Sequence, residues 1–397
     1  MNYILFDDSS RNNLLPLTFL RPVADILIGI ITIREKWEKY LDTKTSTITE
    51  SYLSNKFPIK QADNNILING SVCPTPEMVA AIKALKKNET LNTDDYIIAM
   101  NVGADVLGEN DTVDPQANTQ NSIKFEGKHI KLRHPYEIFS FNEEAIKQDF
   151  ELLTKGKKSA KISDTNNILG KENIFLEEGV EMEFVTLNAT TGPIYLSKNS
   201  EIMENSVIRG PFALGESAKV KLATKIYGAT TVGAWSKVGG ELNNTVMFAF
   251  SNKAHDGFLG NSVIGEWCNL GSDTNTSNLK NTYEPVRLWN YPQSSFVSTD
   301  LTFCGLIMGD HSKCGINTIF NTGTVVGINC NIFGSGYQRN YIPSFRWGGT
   351  GRHSNYDIQK AYQVAEIVYE RRGKEFNQSE KDILKAVFDQ TIGNKSY

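Results

Sequence analysis

The stretch EIMENSVIRGPFALGESAKVKLATKIYGATTVGAWSKV, residues 201–238, carries an aliphatic side chain at every sixth position. Ile202, Ile208, Leu214, Val220, Ile226, Val232 and Val238 are the rungs. Ser206, Ala218, Thr224, Thr230 and Ser236 place a small residue four positions after most of them. A helix repeats at about 3.6 residues and a strand at about 2, so neither yields this period. A hexapeptide β-helix does: each hexad gives one short strand and one corner, with the aliphatic residue turned into a narrow core. The ladder resumes at Phe258, Ile264, Leu270 and Thr276, with Cys268 and Thr274 at the small positions. It resumes again at Met308, Cys314, Phe320, Val326 and Ile332, beside Ser312, Thr318, Thr324 and Cys330.

Two steps break the register. Val238 to Phe258 spans 20 residues and Thr276 to Met308 spans 32, each two more than a multiple of six. Insertions in a solenoid map to loops on one edge, and such loops bind ligands. The first step contains Lys253-Ala-His255-Asp-Gly-Phe258-Leu-Gly260-Asn261. An imidazole in this glycine-containing loop suits a general base that takes a proton from an amine or hydroxyl nucleophile; a solvated side chain is the plain alternative. His311, in Met308-Gly-Asp-His311, falls at a corner or outward position. In the second step, Trp289-Asn-Tyr291-Pro either packs on a neighbouring subunit or touches substrate.

Around the repeat, residues 1–153 alternate strands and helices, which points to an α/β domain with a mostly parallel sheet. Tyr3–Phe6, Ile66–Ile68 and Tyr96–Met100 read as strands. Ile26–Leu41, the stretch after Thr75-Pro76 and Tyr136–Leu153 read as helices, and 109–122 as a polar loop. A polar linker occupies 154–172 and the β-helix 173–345. Residues 346–397 form two helices, the first capped by Ser354 and the second starting at Ser379, which close the open end of the β-helix.

The 397 residues have a net charge of −4 and 22% charged residues, which argues against a nucleic-acid surface. No run approaches the roughly 20 apolar residues of a membrane span, and MNYILFDDSS turns acidic too soon for a signal peptide. Five cysteines, an odd number, with Cys268 and Cys330 at small inward positions, read as reduced core thiols of a cytoplasmic protein.

Residues 253–278, KAHDGFLGNSVIGEWCNLGSDTNTSN, resemble the acetyltransferase half of the bifunctional glucosamine-1-phosphate acetyltransferase/N-acetylglucosamine-1-phosphate uridyltransferases. The resemblance makes His255 the general base and Asn269 the asparagine beside the acceptor amine. Ser272 and Asn278 become acetyl-CoA contacts. Phe258 stands where that family has a sugar-contacting Tyr. The resemblance also implies a left-handed β-helix, a homotrimer with sites between subunits, and backbone amides steadying the oxyanion.

The N-terminus, Phe6-Asp-Asp-Ser-Ser-Arg11-Asn-Asn-Leu-Leu-Pro16-Leu-Thr18-Phe-Leu-Arg21-Pro22, resembles the opening of sugar-phosphate nucleotidyltransferases, making Arg11 and Arg21 phosphate ligands. Asp7, Asp8, Ser9 and Ser10 replace that family's glycine-rich loop, and Val23 replaces a Lys. Ser71, in Ile66-Leu-Ile-Asn-Gly70-Ser71-Val-Cys-Pro74, replaces an Asp that holds Mg²⁺. Asp7, Asp8, Asp25 and Asp105 are the remaining conceivable ligands. Lys280, Arg287, Arg346 and Arg352 are conceivable contacts for CoA or sugar phosphate, or ordinary solvated charges.

As a whole the layout resembles a divergent GlmU-like branch. That implies acetyl transfer from acetyl-CoA to an amino-sugar phosphate, coupled to nucleotidyl transfer from a nucleoside triphosphate toward a UDP-N-acetylglucosamine-type product. Two other readings remain open: a nucleotidyltransferase whose β-helix only oligomerises, and a non-catalytic sugar-nucleotide binding protein or scaffold.

Overall fold

The computed structural model describes residues 1–103, 121–351 and 353–392. Asp105, Arg352 and most of the loop expected over 109–122 lie outside them; 121 and 122 open the strand Asn121–Lys124.

From Asn167 onward the chain coils through three sheets of six, nine and ten strands, almost every strand only two or three residues long. Corresponding rungs stack in register, as in Ile208 beside Ile226, Leu214 beside Val232 and Val220 beside Val238, each pair 18 residues apart. These side chains meet in one buried core. The ladder thus builds the predicted β-helix. It begins earlier than the periodicity suggested: Asn167–Leu169, inside the stretch read as linker, pairs with Thr186–Asn188.

The 20-residue step is not an insertion. The chain stays on the solenoid, and the coil there is shorter than its neighbours. Ile226 pairs with Leu242, Val232 with Met247, and Val238 with Lys253, all fewer than 18 residues apart. The inward residue of the following coil is therefore Leu259, fully buried, and Phe258 turns outward. The 32-residue step is a true excursion. After Thr276 the chain leaves the helix, makes an antiparallel hairpin of Arg287–Asn290 with Ser295–Ser298, and rejoins at Leu306–Met308.

The N-terminal unit has one six-stranded sheet. Strand Asn2–Phe6 lies between Ser46–Ile48 and Asn64–Asn69, parallel to both. Ile97–Gly103 then runs antiparallel to Asn64–Asn69 and to Glu89–Asn92. Glu89–Asn92 is in turn parallel to Asn121–Lys124, so only Ile97–Gly103 runs against the other five strands and the sheet is mostly parallel, as expected. The helix expected over 26–41 occupies only Ile33–Leu41: Gly29, at φ +74°, turns Leu27–Ile28 against Ile31–Thr32, and Thr32 with Glu35 forms a capping box. The helix expected over 136–153 is two, Pro135–Ser140 and Asn142–Thr154.

This unit is seated on the solenoid. Ile30, Ile146 and Leu153 pack on Phe175, Tyr195 and Ala213. Thr231 Oγ1 donates to Gly29 O at 2.7 Å, and Asn142 Nδ2 donates to Ala229 O at 2.9 Å. The hairpin adds a second seam: Tyr291 meets Phe19 edge-on at 5.6 Å, and Asn290 Nδ2 donates to Asn13 Oδ1 at 3.2 Å. Trp289 stacks on Tyr341 at 4.2 Å, so this loop packs within its own chain.

At the far end, His353–Asn355 is a strand antiparallel to Arg346–Gly348, so Ser354 is no helix cap. Asp357 caps the helix Ile358–Glu370, accepting from Lys360 N at 3.0 Å. The second helix is Gln378–Ile392. Neither helix closes the end of the solenoid. They lie along its side, where Tyr369, Phe376 and Leu384 join Trp267, Phe345 and Phe19 in one apolar cluster. The added strand His353–Asn355 pairs the outer side of Arg346–Gly348 at that end. All five cysteines are free and buried, and no helix among the described residues is long and apolar enough to cross a membrane.

Candidate functional site

His255 sits at an exposed corner of the solenoid, and two devices hold that corner. Beneath it lies Gly239-Gly240, where the coil shortens. A Cβ on Gly239 would stand 2.5 Å from Ala254 O. One on Gly240, whose φ is +78°, would stand 2.8 Å from Gly257 O and 3.0 Å from His255 O. Only a glycine pair permits the two corners to nest.

From inside, Lys253 occupies an inward rung position and is 1% exposed. Its Nζ donates to His255 O at 2.5 Å and to Asp256 O at 2.9 Å, tying the corner down through its carbonyls. Burial pushes this ammonium down to about 8, against the pull of Asp256.

A cavity of about 690 Å³ opens beside the corner, and His255, Asn269 and Ser272 all line it. Its wall opposite the repeat comes from the end of the helix Ile358–Glu370 and the residues just after it. Arg371 and Arg372 therefore face the same space as Lys237 and Lys313 of the ten-stranded sheet. None of the described lining residues is a carboxylate. Burial, then the charges of Arg372 and its neighbours, holds Lys237 below its usual range. Burial and Arg371 do the same to Arg372. Cations that depress one another in the absence of a countercharge form a place for a polyanion.

Phe258 and Asn278 do not line this cavity. Phe258 N donates to Asn275 Oδ1 at 2.9 Å, and Asn278 Nδ2 donates to Asn261 Oδ1 at 2.8 Å, on the adjacent sheet and corner. His311, expected at the surface, is buried beside the pair Trp267 and Tyr369, which stack on each other at 4.1 Å, and burial holds it well below the usual imidazole range. A stacked neutral ring in this position is a packing residue.

In the N-terminal unit, Arg11 and Arg21 are buried and fully used. Arg11 donates to Asp7 at 2.9 Å, to Thr18 O at 2.5 Å, to Arg21 O at 3.0 Å and to Tyr52 Oη at 3.0 Å. Arg21 bonds Leu17 O and reaches across to the solenoid, where it pairs with Asp310 and Glu266, each at 3.0 Å. Asp25 pairs with Arg34. Lys280 and Arg287 bond main-chain oxygens of their own excursion, and Arg346 bonds Asn355.

At the ends of the parallel strands, Asp8, Asn69, Ser71 and Lys131 bond one another. Lys131 Nζ lies 2.5 Å from Asp8 Oδ2 and 2.6 Å from Ser71 Oγ. No group of three His, Cys, Asp or Glu among the described residues is placed to hold a metal ion. The residues present do not fit the divalent cation that the resemblance implies.

A family profile described as sugar nucleotidyl transferase matches residues 3–158. The bifunctional protein GlmU of Methanocaldococcus jannaschii is 26% identical over 218 residues, 52% of this chain and 44% of that protein. GlmU of Methanococcus aeolicus is 28% identical over 264 residues, 65% of this chain and 53% of that protein. Over these spans the chain is similar to GlmU proteins. The uncharacterized acetyltransferase YaiX of Escherichia coli O6:K15:H31 is 24% identical over 150 residues, 37% of this chain and 64% of that protein. The chain spans about half the length of the GlmU proteins it matches.

Beside these GlmU relatives, the site divides into what sequence could and could not find. The structure gathers His255, Asn269 and Ser272 in one cavity. It adds four residues the sequence did not single out: Lys237, Lys313, Arg371 and Arg372. Lys253 and Gly239-Gly240 were also passed over, although a lysine at a rung position and a double glycine beside a short coil are readable signals.

Proposed function

We propose that the chain is an acetyl-CoA-dependent N-acetyltransferase acting on an amino-sugar phosphate of the glucosamine-1-phosphate kind. The observation that carries this reading is one cavity holding an exposed histidine, an asparagine and four cations. His255 takes the proton from the acceptor amine as it attacks the thioester carbonyl, and the thiolate leaves with a proton. Asn269 orients the amine. Ser272 and the Lys and Arg rim receive the phosphates of donor and acceptor. A homotrimer, as the resemblance implies, would let a neighbouring subunit's Phe258 and Asn278 contribute; sedimentation of the pure chain tests this, and a monomer would remove them from the site. The test of the chemistry is thiol release from acetyl-CoA with glucosamine-1-phosphate. His255→Ala should lower the rate by about 10²–10⁴-fold, the usual worth of a general base. Turnover unchanged by the substitution would sink the reading.

The N-terminal unit we read as a sugar-nucleotide or nucleoside-phosphate binding unit, supported by the profile over residues 3–158. Nucleotidyl transfer there is tested by pyrophosphate release from each nucleoside triphosphate with sugar-1-phosphates. A β-helix that only oligomerises is the reading left if His255→Ala has no effect while pyrophosphate is released.

A further inference from the structure

We propose that the ammonium of Lys131 permanently occupies the place of a divalent cation in the N-terminal unit, so that this unit takes its phosphorylated ligand without one. The inference rests on reading residues 3–158 as a sugar-nucleotide unit, and not on acetyl transfer at His255.

In an α/β sheet, ligands bind beyond the carboxyl ends of the parallel strands. Here those ends are Phe6 and Asn69, and the groups just past them are Asp8 and Ser71. A carboxylate offers about four lone-pair directions, and donors fill all of those on Asp8. Oδ1 accepts from Ser10 N at 3.0 Å and from Ser10 Oγ. Oδ2 accepts from Asn69 Nδ2 at 2.9 Å and from Lys131 Nζ at 2.5 Å. Ser71 Oγ gives its proton to Asn69 Oδ1 at 2.6 Å and accepts from Lys131 at 2.6 Å.

Lys131 is thus the cation that bridges the two strand ends. Its side chain is 6% exposed, and its Nζ lies 4.6 Å from the centre of the Tyr96 ring. A divalent ion at Asp8 would have to displace an ammonium held by a carboxylate, a hydroxyl and an aromatic face, or sit beside it against like-charge repulsion. Burial alone would raise Asp8, yet Lys131, Ser10 and Asn69 together hold the carboxyl below its usual value, while burial lowers Lys131 against the pull of Asp8. The serine at position 71 completes the exchange: a neutral oxygen accepts from the ammonium where a second carboxylate would favour a doubly charged ion.

Manganese is the probe, read by the loss of its free-ion resonance signal on binding to the whole chain. The wild-type protein should show no Mn²⁺ site that depends on Asp8, so its titration should superimpose on that of Asp8→Asn. The double variant Lys131→Met with Ser71→Asp should gain one site. A wild-type site of micromolar affinity that disappears in Asp8→Asn overturns the proposal, and this comparison stands even if the double variant does not fold. A folded double variant that still takes no Mn²⁺ also overturns it, because something other than Lys131 then excludes the ion. Thiol release by the His255 site, assayed separately with and without chelator, keeps the fate of the acetyltransferase reading apart from this one.

Discussion

The two places with chemically interesting side chains differ in where their hydrogen bonds go. At the solenoid cavity, His255 and Asn269 are exposed, and Lys237, Arg371 and Arg372 face an open volume without an acidic neighbour among the lining residues, while Lys313 beside them spends a donor on His311 O at 3.0 Å. In the N-terminal unit, the donors of Arg11, Arg21 and Lys131 end on carboxylates, hydroxyls or main-chain oxygens of the protein itself, and Asp8 accepts from Ser10, Asn69 and Lys131. Residue type alone does not separate them, since both hold arginines and lysines. Saturation does: a group whose donors are spent inside the protein supports structure, and a group whose charge is uncompensated awaits a ligand.

The comparison can be broken most severely at Arg21. If it is structural, Arg21→Met leaves Asp310 buried and unpaired and should cost about 3–5 kcal/mol of stability in urea unfolding. A stable Arg21→Met protein that had lost only ligand affinity would move Arg21 into the binding class. On the open side, Arg371→Ala with Arg372→Ala should raise KM for the phosphorylated substrates on the order of tenfold or more, with little change in kcat or melting temperature. An unaltered KM would show that the cation rim is not used.

The smallest effect sharpens the boundary between the classes, because Lys253 belongs to both. Its folded value is about 8, against about 10.4 in an unfolded chain. Between those values the unfolded chain holds a proton that the folded one has shed, so this group adds stability as pH rises through that window. Lys253→Met should flatten that rise, read as melting temperature between pH 7.5 and 10. A variant that keeps the slope would assign it to other groups.

The repeat itself was legible, because a narrow core admits one aliphatic size at one spacing and Ile202 to Val238 obey it. His255 was legible as a candidate through its local run of residues, and it lies exposed on the cavity. What was lost is what depends on three dimensions. The 20-residue step looked like an added loop because counting cannot tell two extra residues from a coil that is several residues short; only the pairing of Leu242 with Leu259 decides. The cation rim escaped notice because Arg371 lies far along the chain from His255 and reaches it only when the C-terminal helices lie along the flank. Arg11 and Arg21 looked like phosphate ligands because charge is visible in sequence and satisfaction is not. Capping was misplaced at Ser354 for a similar reason: a strand partner at Arg346–Gly348 outbid the helix.

The short coil beneath His255 makes this site a matter of length more than of identity. In an ordinary loop an added residue is absorbed at the surface. Here one residue inserted into the strand Asn252–Lys253, and kept there and not looped out at a corner, would exchange the inward and outward faces, carrying the lysine out and its neighbour into the core. Substitutions at this corner can be graded, but a change of length within the strand cannot. Divergence of the chain would therefore be expected to change the chemistry of the corner while leaving its count of residues fixed.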